Sequence, residues 1–289
     1  MSRRSLIVRI AKLVSNSNLS WLSHVDKKLA PLDDQGSTPI IFIIGLPRSG
    51  TTLTYQAITN AFKTNYLSNL SHFLYQLPNV AIKLSNKIGL SNYHNYSSNQ
   101  GFVSGINGQA EGLHFWNRWQ GVGVDEDEVI FNRKNNEYLS SIIRDNASFN
   151  QPYVACYLGH IFCINELVES YPRAIFVEVC RDSNSVKQSL LKCRETTGEK
   201  EDWFSLKPTG YEDVSQLDAS DQVDWQLKEL KSRIQGLDNF TNRTFKVDYL
   251  ELCCNPNQVM REFKEFAISQ GYYLEDLNRL PNKFERKKS

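Results

Sequence analysis

The run Ile40-Ile41-Phe42-Ile43-Ile44 constrains this chain more than any other segment. It is continuous, apolar and mostly β-branched, with no polar residue in alternation. A strand that is hydrophobic on both faces must be covered on both, which is the condition of an inner strand of a parallel sheet. A turn-like stretch, Asp33 to Pro39, precedes the run. A glycine-containing turn follows it, and Thr51 to Phe62 then takes helical spacing. The same order returns further along. Tyr153 to Cys156 is followed by helix-like Ile161 to Ser170, and Ala174 to Cys180 by helix-like Ser183 to Arg194. Asp221 to Leu237 carries Val223, Leu227, Leu230 and Ile234 at helical spacing, and a strand over Thr244 to Val247 leads to a helix over Asn257 to Phe266. Strands alternating with helices predict an α/β fold in three layers, a central parallel sheet flanked by helices.

The remaining segments are less regular. Leu67 to Asn150 is rich in Asn, Ser and Gly with scattered aromatics, and pieces such as Ser91 to Gly101 read as long loops of the kind that carry substrate contacts. Residues 1–36 read as a peripheral arm ahead of one domain over 37–289. The start of the arm, MSRRSLIVRIAKLV, has the pattern of an amphipathic segment, with peripheral membrane contact as the sharper alternative. Arg9 and Lys12 interrupt its apolar stretch and no small-x-small site follows, so it is not expected to be a signal peptide. The longest apolar run is far short of the roughly 20 residues that a spanning helix needs. Lys and Arg total 33 against 32 Asp and Glu, a net charge of +1 that argues against a nucleic-acid binder. The six cysteines form no CxxC pair, which speaks against structural zinc and for reduced thiols in a cytoplasmic protein.

The chemistry begins where the strongest strand ends. Gly45-Leu46-Pro47-Arg48-Ser49-Gly50-Thr51-Thr52 lies between that strand and a helix start. Unpaired N–H groups and the helix dipole make such a place an anion site. Gly45 and Gly50 let backbone approach the anion, Ser49, Thr51 and Thr52 add hydroxyls, and Arg48 adds a planar cationic fork. A Walker A loop would need Lys after the second glycine; here Thr51 follows Gly50, which lowers the case for an ATP- or GTP-using kinase. At the end of the later strand Arg181 is followed, eight residues on, by Ser189. That spacing puts the serine about two helical turns in, able to face back toward the strand end.

The PRSGTT loop, followed in order by Arg181 and Ser189, resembles the cofactor-binding motifs of the PAPS-dependent sulfotransferases, where PAPS is 3′-phosphoadenosine 5′-phosphosulfate. The segments Glu111 to Trp119, Trp203 to Pro208 and Val247 to Cys253 are similar to a soluble bacterial subgroup, and the resemblance runs from about Pro39 to about Phe266. It implies a P-loop-like fold, PAPS as co-substrate with 3′,5′-ADP as product, and no metal. Arg48, Ser49, Gly50, Thr51 and Thr52 would hold the 5′-phosphosulfate, and Arg181 and Ser189 the 3′-phosphate. It also implies a small-molecule or glycan acceptor, a carbohydrate or lipid-linked sugar, modified at a hydroxyl or amine.

Sulfuryl transfer needs a base for the acceptor proton and cations for the leaving group. Glu111, set among aromatics, and His160, at a helix start after a short strand, are the candidate bases, with Arg48 as the catalytic cation. His114 is a weaker third candidate, three residues from Glu111. The sequence departs from the family at Cys156, which stands where a lysine is often found. Trp203 and Phe204 are expected to pack in the core, with stacking on adenine or a sugar as the alternative. Two other functions remain open on the residues alone: a P-loop nucleotide kinase or phosphotransferase, and a catalytically silent nucleotide- or glycan-binding module.

Overall fold

A computed structural model of the protein describes residues 26, 37–87, 96–98, 101–196 and 203–285. The expected arm over 1–36 and the loop from Ser91 to Gly101 lie largely outside the described residues. Of the arm, only Asp26 is described. It is buried, and its carboxylate accepts from the backbone N–H groups of Asn79 and Val80 and from the Tyr138 hydroxyl.

Five strands are present among the described residues: β1 (Ile40–Gly45), β2 (Asn65–Tyr66), β3 (Tyr153–Cys156), β4 (Ile175–Cys180) and β5 (Thr244–Asp248). They form one sheet in the order β2-β3-β1-β4-β5, and every pairing is parallel. The apolar run thus becomes the central strand, with Phe42 opposite Ala155 of β3 and Phe176 of β4. The helices are α1 (Thr51–Ala61), α2 (Asn69–Phe73), α3 (Pro78–Lys87), α4 (Leu113–Gln120), α5 (Arg133–Asn146), α6 (Ile164–Ser170), α7 (Ser183–Thr196), α8 (Ala219–Ile234), α9 (Tyr249–Cys254) and α10 (Pro256–Ser269). A 3-10 segment over Leu158–Cys163 leads into α6, so the helix expected from Ile161 starts as 3-10 and turns α at Ile164.

The alternation of side chains along β1 builds two cores. Ile40, Phe42 and Ile44 pack on one face with Trp116 and Trp119 of α4, Leu139 of α5, Leu190 of α7 and Leu227 of α8. Ile41 and Ile43 pack on the other with Ile58 of α1, Leu252 of α9 and Phe263 of α10. The fold is therefore the expected α/β sandwich of three layers, with a parallel sheet in the middle.

The segment that is less regular in sequence, 67–150, holds α2 to α5. The reason lies in what these helices bury. α5 presents Asn136, Leu139, Ser140, Ile142 and Ile143 to the core, which is helical spacing, but two of the five are polar. Their burial is made tolerable by hydrogen bonds: Asn136 Oδ1 accepts from Gln120 Nε2 at 2.7 Å and from the Tyr171 hydroxyl at 2.7 Å. An apolar repeat diluted in this way gives little signal, and α2 and α4 are too short to show one.

What positions the site is the edge of the sheet where β1 and β4 end together. Gly45 lies opposite Val179 in the register of the two strands. A Cβ on Gly45 would lie 3.0 Å from the Val179 carbonyl oxygen and 2.7 Å from Ser49 Oγ, so only glycine lets the loop fold this closely over the strand ends. Arg48 and Arg181 leave their strands at this one edge, where open parallel sheets bind ligands.

Candidate active site

The loop after β1 is shaped by two residues with positive φ. Arg48 has φ 67° and Gly50 has φ 109°, both in the left-handed region. The Ser49 N–H donates to the Leu46 carbonyl at 3.0 Å and closes the turn. Gly50 is the N-cap of α1 and brings no side-chain cap, so the first-turn N–H groups of α1 are left to a ligand.

The two anion motifs meet. Arg48 Nε donates to Ser189 Oγ at 3.0 Å, across 141 positions of sequence. Arg181 Nη1 donates to the Arg48 carbonyl at 2.9 Å, and its guanidinium lies 4.6 Å from the centre of the Tyr249 ring. Tyr249 in turn packs against Gly50 so tightly that a Cβ there would be 2.3 Å from its ring. Arg48, Gly50, Thr51, Thr52, Arg181 and Ser189 all line one cavity of about 510 Å³. Ser49 is the exception. It is buried, and its Oγ is turned toward Gly45 rather than onto the cavity wall.

Glu111 lies on the wall of the same cavity, just before α4. Thr52 Oγ1 donates to Glu111 Oε1 at 3.4 Å, and Trp116 Nε1 donates to the Glu111 carbonyl at 2.8 Å, which fixes the residue ahead of the helix. Burial pushes its carboxyl up to about 7, against the lowering effects of the Thr52 hydroxyl and the Arg48 charge. A carboxylate titrating there is matched to taking a proton near neutrality.

The other two base candidates are elsewhere. His160 is wholly buried, with Nε2 and Gln120 Oε1 3.0 Å apart. Its ring is packed edge-on against Phe42, Trp116 and Tyr157, and burial pushes its pKa down to about 3. It does not line the cavity. His114 stacks on His72 with ring centres 5.6 Å apart, and it too is off the cavity wall. The helix starts at Leu113 with Gly112 as N-cap, so Glu111 and His114 do not share a helical face.

Cys156 closes β3 and is buried; burial first, and then the neighbouring Glu111, pushes its thiol well above the usual range. It supplies no positive charge beside Glu111. Trp203, expected in the core, is half-buried outside it, with its Nε1 donating to the Leu206 carbonyl at 2.8 Å and its ring against Tyr211 and Trp225. Phe204 lines the cavity. Sequence reasoning missed Lys192, Gln56, Tyr157 and Tyr249, all on the cavity wall. Lys192 had a signal, since it follows Ser189 by three positions on α7 and so shares its face. Gln56 follows Thr52 by four on α1 and had the same kind of signal.

Such an arrangement can hold two phosphate-sized anions at Arg48 and Arg181 and take up a proton at Glu111. Among the described residues no cluster of His, Cys, Asp and Glu could hold a metal, and no helix is long and apolar enough to cross a membrane. No curated protein is significantly similar to the chain in sequence. In structure it is similar to the sulfotransferase STF9 from Mycobacterium avium, with a TM-score of 0.57 at 16% identity over 92% of this chain and 74% of that one. It is also similar to the sulfotransferase STF1 from Mycobacterium tuberculosis H37Rv, at TM-score 0.49 and 14% identity over 89% and 73% of the two chains. The first likeness shows a shared P-loop-like fold. The sulfotransferase family model matches residues 39–267, a span that contains β1, the Arg48 loop, Glu111, Arg181 and Ser189. With the family's sequence pattern over that span and the fold beneath it, the chain belongs to the sulfotransferase family.

Proposed function

We propose that the protein transfers a sulfuryl group from PAPS to an acceptor hydroxyl, with Glu111 as general base. The observation that carries this reading is the hydrogen-bonded meeting of Arg48, Ser189 and Arg181 on one cavity wall that also holds Glu111. A loop of free N–H groups with one arginine suits a 5′-phosphosulfate. A second arginine with a serine suits the separate 3′-phosphate, which ATP lacks.

The residues present fit such a co-substrate. The cavity is edged by cations on the α1 and α7 side, and Gly50 keeps Tyr249 and its stacked Arg181 within reach of the loop. PAPS, when bound, supplies the activated sulfuryl group. Arg48 and the first-turn N–H groups of α1 hold the negative charge that grows on the phosphate side as the bridging S–O bond breaks. Glu111 takes the acceptor proton as the new S–O bond forms, and Thr52 keeps its carboxylate oriented. With Cys156 in place of a lysine, Arg48 and Lys192 are the cations left to serve the leaving group. The six cysteines are free, which supports a reducing, cytoplasmic setting.

Calorimetry with 3′,5′-ADP, AMP and ATP tests the reading. 3′,5′-ADP is expected to bind more tightly than ATP with magnesium. Arg181→Ala is expected to weaken 3′,5′-ADP by about 10- to 100-fold, the loss of a charge-assisted phosphate contact, while AMP binding changes little. Equal losses for both nucleotides would remove Arg181 from the 3′-phosphate.

A further inference from the structure

The charges of the cavity are unevenly placed. Arg48, Arg181 and Lys192 belong with Ser189, on the loop, the end of β4 and α7. The wall around Glu111 has another character. Leu113 follows Glu111 by two residues, and Tyr157, Leu158 and Val124 complete that side of the lining. These segments adjoin. The Tyr157 hydroxyl donates to the Val122 carbonyl at 3.3 Å, and a Cβ on Gly159 would be 2.5 Å from the Gly123 carbonyl oxygen. With its hydroxyl so engaged, Tyr157 offers the cavity its ring. Glu111 adds to the rise of the Tyr157 pKa, which sets the two side chains as neighbours.

Apolar side chains are also left in water at this rim. Leu113 is 36% exposed and Val124 38%. On the same side Gly101 comes close, since a Cβ there would lie 2.8 Å from Glu111 Oε1. Single exposed apolar residues mean little, but several around one carboxylate at a cavity mouth form a surface for an apolar ligand.

The polar side chains that α1 brings to this cavity are largely engaged. Thr52 donates to Glu111, and Gln56 Nε2 donates to the Ser97 carbonyl at 3.3 Å. Gln56 Oε1 is buried without a partner and can accept one further hydrogen bond. Against Leu113, Val124, Leu158 and the Tyr157 ring a free sugar, with a hydroxyl on nearly every carbon, would lose water contacts without finding side-chain partners, at a cost for each unpaired group.

Resting on the sulfotransferase reading of the same site, we infer that the acceptor is an uncharged alcohol with an apolar body. Its hydroxyl meets Glu111 and its alkyl or aryl part lies on Leu113, Val124, Tyr157 and Leu158. A lipid alcohol meets this description; a free monosaccharide does not.

The test uses 1-octanol and methyl β-glucoside as probes on the full chain, with binding read by calorimetry in the presence of 3′,5′-ADP and transfer read from sulfur-labelled PAPS. Octanol is expected to bind and to be sulfated in preference to the glucoside. Val124→Asp and Leu113→Asp, both at exposed positions that leave the core intact, are expected to weaken octanol binding by about tenfold or more each, as loss of an apolar contact implies. The Kd for 3′,5′-ADP should be unchanged in both. Preference for the glucoside, or octanol binding indifferent to both variants, would overturn the acceptor assignment while leaving the cofactor site standing. Failure of 3′,5′-ADP to bind would strike the sulfotransferase reading instead, and octanol binding lost in Val124→Asp would still support the apolar wall.

Discussion

Glu111 stands under opposed influences whose balance decides its chemistry. Burial raises its pKa, while the Thr52 hydroxyl and the Arg48 charge lower it, and burial wins to leave it at about 7. The residue at position 156 bears on that balance. A lysine beside Glu111 would favour the carboxylate and weaken it as a base, whereas the neutral Cys156 thiol leaves burial dominant. As the base must be ionised, turnover is expected to fall about tenfold per pH unit below about 7 and to level off above it. Glu111→Gln should lose about 10²- to 10⁴-fold in kcat, the usual worth of a general base, with 3′,5′-ADP bound as before. A pH–rate profile and calorimetry on the variant check this; a variant within tenfold of the parent would take the base role from Glu111. His160 shows why residue type alone is a poor guide. Its ordinary pKa suits the task, but the 3-10 segment that carries it turns the ring into the core, where it stays neutral.

At the scale of elements, the loop and α9 act as one unit through Gly50. Its φ of 109° belongs to glycine, and its missing Cβ is the space that the Tyr249 ring fills at 2.3 Å. Gly50→Ala is expected to cost about 1–2 kcal/mol from the backbone alone. It would also displace Tyr249 and with it the guanidinium of Arg181, weakening 3′,5′-ADP by tenfold or more. Urea unfolding and calorimetry on the variant would show whether the two losses come together; stability lost with affinity kept would separate the loop from Arg181. This unit was half legible in the sequence. β1, β4 and the loop between β1 and α1 were readable because a continuous apolar run and a glycine turn at its end are compatible with few local structures. Arg181 and Ser189 were readable by spacing. Tyr249 was not, since nothing local in the sequence says that it meets Gly50 from 199 positions away. The aromatic ring of Tyr157 was likewise hidden, and Phe204 was readable only as core or stacking platform, because a cavity wall and a core make the same demand on composition. α5 escaped because it dilutes its apolar stripe with buried, hydrogen-bonded Asn136 and with Ser140, and α2 and α4 because they are too short to show a repeat.

For the whole molecule, two buried groups set opposing pH dependences of stability. His160 has its folded pKa lowered from 6.5 to about 3, so the unfolded chain binds more protons between those values. Its contribution to stability is complete above pH 6.5 and is lost as pH falls through the folded pKa. His72, also lowered by burial, acts in the same sense. Glu111 has its folded pKa raised from 4.5 to about 7, so the folded chain binds more protons, and its contribution is complete below pH 4.5 and lost as pH rises. Each effect has a limiting slope of about 1.4 kcal/mol per pH unit. Between pH 4.5 and 6.5 Glu111 opposes the two histidines, so the stability of the parent chain is expected to change less with pH across that window than either kind of group alone would make it. Removing one should unmask the other. Glu111→Gln should make stability climb with pH there. His160→Gln, which keeps an N–H donor for Gln120, should tilt the slope downward relative to the parent over the same range. Slopes rather than absolute stabilities decide the matter, so any packing cost of the substitutions drops out. Urea denaturation at half-unit steps of pH would measure them, and variants parallel to the parent would mean that neither group is held out of water as the folded chain requires.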